Sequence, residues 1–67
     1  MSTHKVIEVL AQSDDSWEDA AQLAVDDAAQ SLHGIKSVYI ENLEAVVDEN
    51  KIVQYRVNAK ITFEVEA

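Results

Sequence analysis

Apolar and polar side chains alternate without a break through residues 53–66. Val53, Tyr55, Val57, Ala59, Ile61, Phe63 and Val65 alternate with Gln54, Arg56, Asn58, Lys60, Thr62, Glu64 and Glu66. A period of two predicts a strand with one buried and one polar face. At ~3.3 Å per residue this strand extends ~45 Å. Lys5 to Ala11 alternates more loosely, with Val6, Glu8 and Leu10 on one side and Ile7, Val9 and Ala11 on the other. Its β-branched residues favour a strand with apolar groups on both faces. From Ser37 the period is again two, with Val38 and Ile40 sharing a face. After Asn42 the parity flips to Leu43, Ala45 and Val47. A parity flip inside one strand predicts a bulge or bend near Glu41 to Leu43. Asp48-Glu49-Asn50 then reads as a hairpin turn, with Asn50 the best candidate for a left-handed residue.

Between the first two strands the period changes to that of a helix. Trp17, Ala20, Ala21, Ala24, Val25, Ala28 and Leu32 form one apolar stripe, and Glu18, Gln22, Asp26 and Gln30 the solvated face. Ser16 with Asp19 three residues on reads as a capping box. Asp14, Asp15, Glu18 and Asp19 place negative charge at the positive end of the helix dipole. The helix is predicted to run to about His33, where Gly34 supplies a left-handed residue. The alanine-rich stripe suits close approach to a flat sheet.

The predicted order is β-α-β-β in an α+β fold, one helix over three antiparallel strands. A 17-residue helix at ~1.5 Å per residue is only ~25 Å long. It cannot cover strands of ~45 Å. Uncovered sheet and open edges become aggregation sites unless other chains hide them. The pattern therefore calls for copies of the same chain, and closed point groups are the usual outcome.

Composition strengthens that expectation. At 67 residues the chain is read as one domain spanning 1–67. Domains near this size bury only about 60% of their unfolded surface and usually add a staple. There is no cysteine, which removes disulfides and thiolate metal sites, and His4 and His33 cannot alone hold zinc. Oligomerisation remains. There is no proline and one glycine, so nearly all of the chain is expected in regular structure.

The net charge is -8, and Lys5, Lys36, Lys51, Arg56 and Lys60 are scattered. A nucleic-acid backbone or an anionic membrane surface calls for clustered basic residues. No segment approaches the ~18 apolar residues of a membrane span. Met1 to Val9 lacks the apolar core of a secretory signal, so a cytoplasmic location is expected.

No Ser/His/Asp or Cys/His set stands in a plausible frame, and a single glycine excludes a glycine-rich phosphate loop. An enzyme is not expected. Trp17 reads as a core or interface anchor and Tyr55 as a packed residue. Arg56, the only arginine, sits between Gln54 and Asn58 on the polar face. It is an ordinary surface charge if that face meets solvent. If the face points into an assembly, it needs a carboxylate or an anionic ligand. Asp14 and Asp15, with Glu18 and Asp19, either charge the helix dipole or hold a hard cation such as Ca²⁺ or Mg²⁺.

Four segments together resemble the dodecins, small flavin-binding proteins that assemble as hollow homododecamers. They are Lys5-Val6-Ile7-Glu8-Val9, Ser16-Trp17-Glu18-Asp19-Ala20-Ala21, Ile35-Lys36-Ser37-Val38, and Tyr55-Arg56 with Phe63. The resemblance spans essentially the whole chain. It implies a three-stranded sheet partly wrapped around one helix, with Trp17, Tyr55 and Phe63 in core or subunit contacts. In the flavin-binding archetypes a tryptophan opening the second strand stacks on the ring, and a glutamine after the strand-three tyrosine binds its edge. Those positions align with Ser37 and Arg56, and Gln54 lies nearby. Serine supplies no stacking, and arginine only donates hydrogen bonds. The chain is more similar to the subgroup with a serine-tryptophan helix start and tyrosine-arginine, linked with calcium. The resemblance thus implies a shell storing riboflavin, FMN, FAD or a related anion. The alternatives are a shell binding cations, or a scaffold with no specific ligand.

Overall fold

The computed structural model describes residues 3–65, which leaves Met1, Ser2, the expected polar position Glu66 and Ala67 outside the description. The order is β1 (Thr3–Ser13), α1 (Trp17–Ala29), β2 (Ile35–Asp48) and β3 (Lys51–Val65). The three strands form one antiparallel sheet in the order β1-β3-β2. β3 is thus the spine, and β1 and β2 are both edges.

The alternation in β3 becomes two unlike faces. Val57, Ala59 and Ile61 are buried under α1 by Ala20, Ala24 and Ala28. Ile7, Val9 and Ala11 of β1 and Val38 and Ile40 of β2 border this core. Alanine lets the helix lie close to the sheet, so contact comes from backbone proximity rather than large side chains. Arg56, Asn58, Lys60 and Thr62 stand on the opposite, open face. Val6 and Leu10 join them, because they pair with Thr62 and Asn58.

The expected bulge is present, since the register slips between Ile40 and Asn42 and leaves Glu41 unpaired. Two further slips, at Ile35/Ser37 and Val46/Val47, have no parity signal in the sequence. The second slip displaces Val53 from the ladder, and Val53 is exposed rather than packed with Tyr55 and Val57. At the hairpin turn both Glu49 (φ 51°) and Asn50 (φ 65°) are left-handed, not Asn50 alone. Positive φ at both central positions is the type I′ geometry, which matches the strand twist.

The helix is shorter than expected. It ends at Ala29, with Gln30 as its cap, rather than near His33. Leu32 N–H still bonds Ala28 O at 2.9 Å, so the chain leaves through one tight turn. Gly34 is left-handed (φ 75°), as read, but its carbonyl accepts from Glu64 N–H at 3.0 Å. It therefore aligns the entry to β2 instead of closing the helix. Thirteen residues span ~20 Å, against a longest molecular extent of 51 Å. More than half of the sheet's length has no helix over it.

Candidate functional site

The corner between β1 and α1 is built by serines. Ser13, the one buried polar residue among those described, donates from Oγ to Asp19 Oδ2 at 2.7 Å. The same Oγ accepts from Asp15 N–H at 2.9 Å. Ser16 caps the helix by accepting from Asp19 N–H at 2.9 Å. The capping box is therefore only half made: the Asp19 carboxylate turns to Ser13 rather than back to the Ser16 amide. Asp14 accepts from Gln54 Nε2 at 3.1 Å, which ties β3 to this corner. Asp14, Asp15, Glu18 and Asp19 are all exposed.

Trp17 leaves this corner toward β2. Its ring meets Tyr55 edge-on, with centroids 4.9 Å apart and planes at 76°. Its indole N–H donates to the Glu44 carbonyl at 3.0 Å. Trp17 and Tyr55 thus link the helix start to the sheet. Phe63 lies half-buried at the other end of the sheet, where it pairs with Lys5 and Ile35.

On the open face, Arg56 is held from both edges. Its Nε and Nη2 donate to Gln12 Oε1 at 3.2 and 3.1 Å. Its Nη1 meets Glu44 Oε1 at 3.1 Å. Arg56 therefore has a carboxylate partner within its own chain. Register sets this arrangement, because Gln12 and Glu44 both pair with Arg56. Neither stood out in the sequence; they come from distant segments with no local signal. Beside Arg56 is a cleft of about 260 Å³ bordered by Leu10, Asn42, Glu44 and Asn58. The Asn58 side-chain oxygen is buried there without a hydrogen-bond partner. A buried unmatched polar atom costs free energy, so a donor is wanted there.

Lys60 repeats the pattern four residues along, with Glu41 Oε1 at 3.1 Å from its ammonium. That hydrogen bond, and then the Glu41 charge, raise the Lys60 pKa above its usual 10.5. Ser37 is exposed on the open face opposite Thr62. Six positions of β3 separate Thr62 from Arg56, about 20 Å at ~3.3 Å per residue. One chain therefore does not bring Ser37 and Arg56 together. Gln54 is adjacent to Arg56 on this face but bonded to Asp14. Among the described residues, no three His, Asp or Glu side chains gather in a way that holds a metal ion. No helix there is long and apolar enough to cross a membrane.

Comparison with known proteins agrees with the fold and its residues. Calcium dodecin of Mycobacterium tuberculosis is 33% identical over 63 residues, covering 94% of this chain and 89% of that protein. A crystal structure of calcium dodecin from the same organism has a TM-score of 0.83 at 31% identity, covering 97% of this chain and 93% of that one. The tt0972 protein of Thermus thermophilus has a TM-score of 0.94 at 21% identity, covering 100% and 98% of the two chains, a likeness of fold. The Dodecin family model matches residues 3–66. With its β-α-β-β order, its sheet partly wrapped on one helix and these matches, the chain belongs to the dodecin family.

Proposed function

We propose that the chain, as one domain, assembles with copies of itself into a hollow homododecameric shell that binds and stores a small ligand, with a hard divalent cation such as calcium in first place. Electrostatics carries this reading. Asp14, Asp15, Glu18 and Asp19 crowd one exposed corner, and none forms an ion pair among the described residues. Arg56, the strongest anion-binding group, is already neutralised by Glu44. Calcium takes 6–8 oxygen ligands at about 2.3–2.6 Å. Since the described residues of one chain hold no three-residue cluster of this kind, a second copy or water supplies the remaining oxygens. The calcium named for the relatives at 33% and 31% identity supports the same choice.

A flavin-type ligand is the second reading. It is favoured by the unmatched Asn58 oxygen beside Arg56, which suits a planar ligand carrying an N–H and a carbonyl. Ser37 gives such a ligand no stacking surface, and contact with both Ser37 and Arg56 would need two copies.

The test is a pair of titrations on purified assembled protein. Millimolar calcium should raise the melting temperature, and Asp14→Asn with Asp15→Asn should remove the rise. Riboflavin fluorescence should be quenched only if the second reading holds, and Arg56→Ala should then weaken binding. A protein that responds to neither ligand would sink both assignments.

A further inference from the structure

The helix leaves one stretch of the sheet's inner face bare. α1 lies chiefly over β1 and β3 and least over β2. On the β2 side a cleft of about 670 Å³ opens beside the first helical turn, walled by Trp17, Ala21, Ile40 and Val57. Farther along the same face, the hairpin tip carries Val47 and Ile52, a cross-strand pair exposed by 59% and 54%. One chain thus presents an apolar hollow and an apolar projection that its own fold cannot bring together.

Charge follows the same division. Two carboxylates border the cleft, Glu18 and Glu41. Glu41 is engaged by Lys60, and Glu18 has no cationic partner among the described residues. Lys51, next to Ile52 at the tip, has no acidic partner within ion-pair distance there either, although it is the register partner of Asp48.

We propose that the hairpin tip of one copy, led by Val47 and Ile52, docks in the Trp17 cleft of a second copy, with Lys51 set against Glu18. The inference rests on the proposed self-assembly and names the surfaces that meet. A second copy is the occupant for a stability reason. Among the described residues, the fully enclosed core holds two side chains larger than alanine, Val57 and Ile61. A core that small is marginal alone, so the cover must be present whenever the chain is. Only the chain's own copies meet that condition. Tip into cleft is a head-to-tail contact, which closes into a ring when the rotation allows.

The chain has no cysteine, so introduced thiols report without background. Ala21→Cys and Ile52→Cys are made singly, unfolded together, reassembled and oxidised. The expected product is the mixed 21–52 disulfide between chains, with little of either symmetric dimer. Symmetric dimers in excess would overturn the docking and indicate patch-on-patch packing. A second arm uses surface charges. Lys51→Glu and Glu18→Lys should each raise the concentration for half-assembly about two- to fivefold, the range of an exposed ion pair. The double exchange should restore it; no restoration would overturn the Lys51–Glu18 pairing. Light scattering of the unaltered protein separates the two levels of failure. A monomer sinks the assembly itself, whereas an oligomer without the 21–52 link sinks only this contact.

Discussion

The two faces of the sheet are made by the same three strands, yet they obey different rules. Under the helix, Ile61 is completely buried among alanines and β-branched residues. On the opposite face, Lys60 and Arg56 each hold a carboxylate from β2, and Leu10 is 71% exposed. Apolar character alone therefore does not decide burial here: Leu10 is as apolar as Ile61. What decides it is whether another element of the same chain lies above. Where the helix covers it, the inner face supplies this chain's own stability, while the open face has no such cover from the described residues of the same chain.

The strongest way to break this contrast is to make the same kind of deletion on both faces. Ile61→Ala should cost about 2–5 kcal/mol in urea unfolding, the transfer loss plus a cavity. Leu10→Ala should cost less than about 0.5 kcal/mol, as at exposed sites. A Leu10 loss equal to that of Ile61 would mean the open face is dry in the assembled protein.

Overpacking probes the inner face from the other direction. Ala24 is fully buried where α1 meets the sheet. Ala24→Leu should destabilise by about 1–3 kcal/mol, because the helix must lift from β3. Full stability in a melting experiment would show that the alanine stripe does not set the helix–sheet distance.

On the open face the effects are smaller. Arg56→Ala removes three hydrogen bonds, but the side chain is 42% exposed. Its stability cost should stay near or below about 1 kcal/mol. A loss of several kcal/mol would mark Arg56 as buried by a neighbour.

The smallest expected effect is a pH dependence. The Lys60 pKa is raised in the fold by Glu41, so folding favours the protonated amine. That contribution is complete below the unfolded value of 10.5 and is lost as pH rises through the higher folded value. The melting-temperature gap between the native protein and Lys60→Gln should therefore close in strong alkali. A gap that stays constant would remove the Glu41 pair as its cause.

Legibility in the sequence followed the range of each interaction. The stripe from Trp17 to Ala28, the cap at Ser16 and the slip near Glu41 are local patterns. The structure has all three. The helix end was misread because Gly34 announces a left-handed turn but not which element it serves. Its partner is Glu64, thirty residues away. The site was less legible still. Arg56 stood out as the lone arginine, but Gln12, Glu44 and the unmatched Asn58 did not. Asp14 was singled out for its charge, and its bond to Gln54 was invisible.

By itself the sequence determined the kinds of element, their order, the face each side chain takes along a strand, and the need for more cover than one helix provides. These depend on periods of 2 and about 3.6 residues and on contour lengths, which neighbouring residues control. Only the tertiary structure decided which strand became the spine, which acids meet Arg56 and Lys60, and where the apolar surface stayed bare. Those depend on strand order and register. A shift of one residue would have turned each paired carboxylate to the other face.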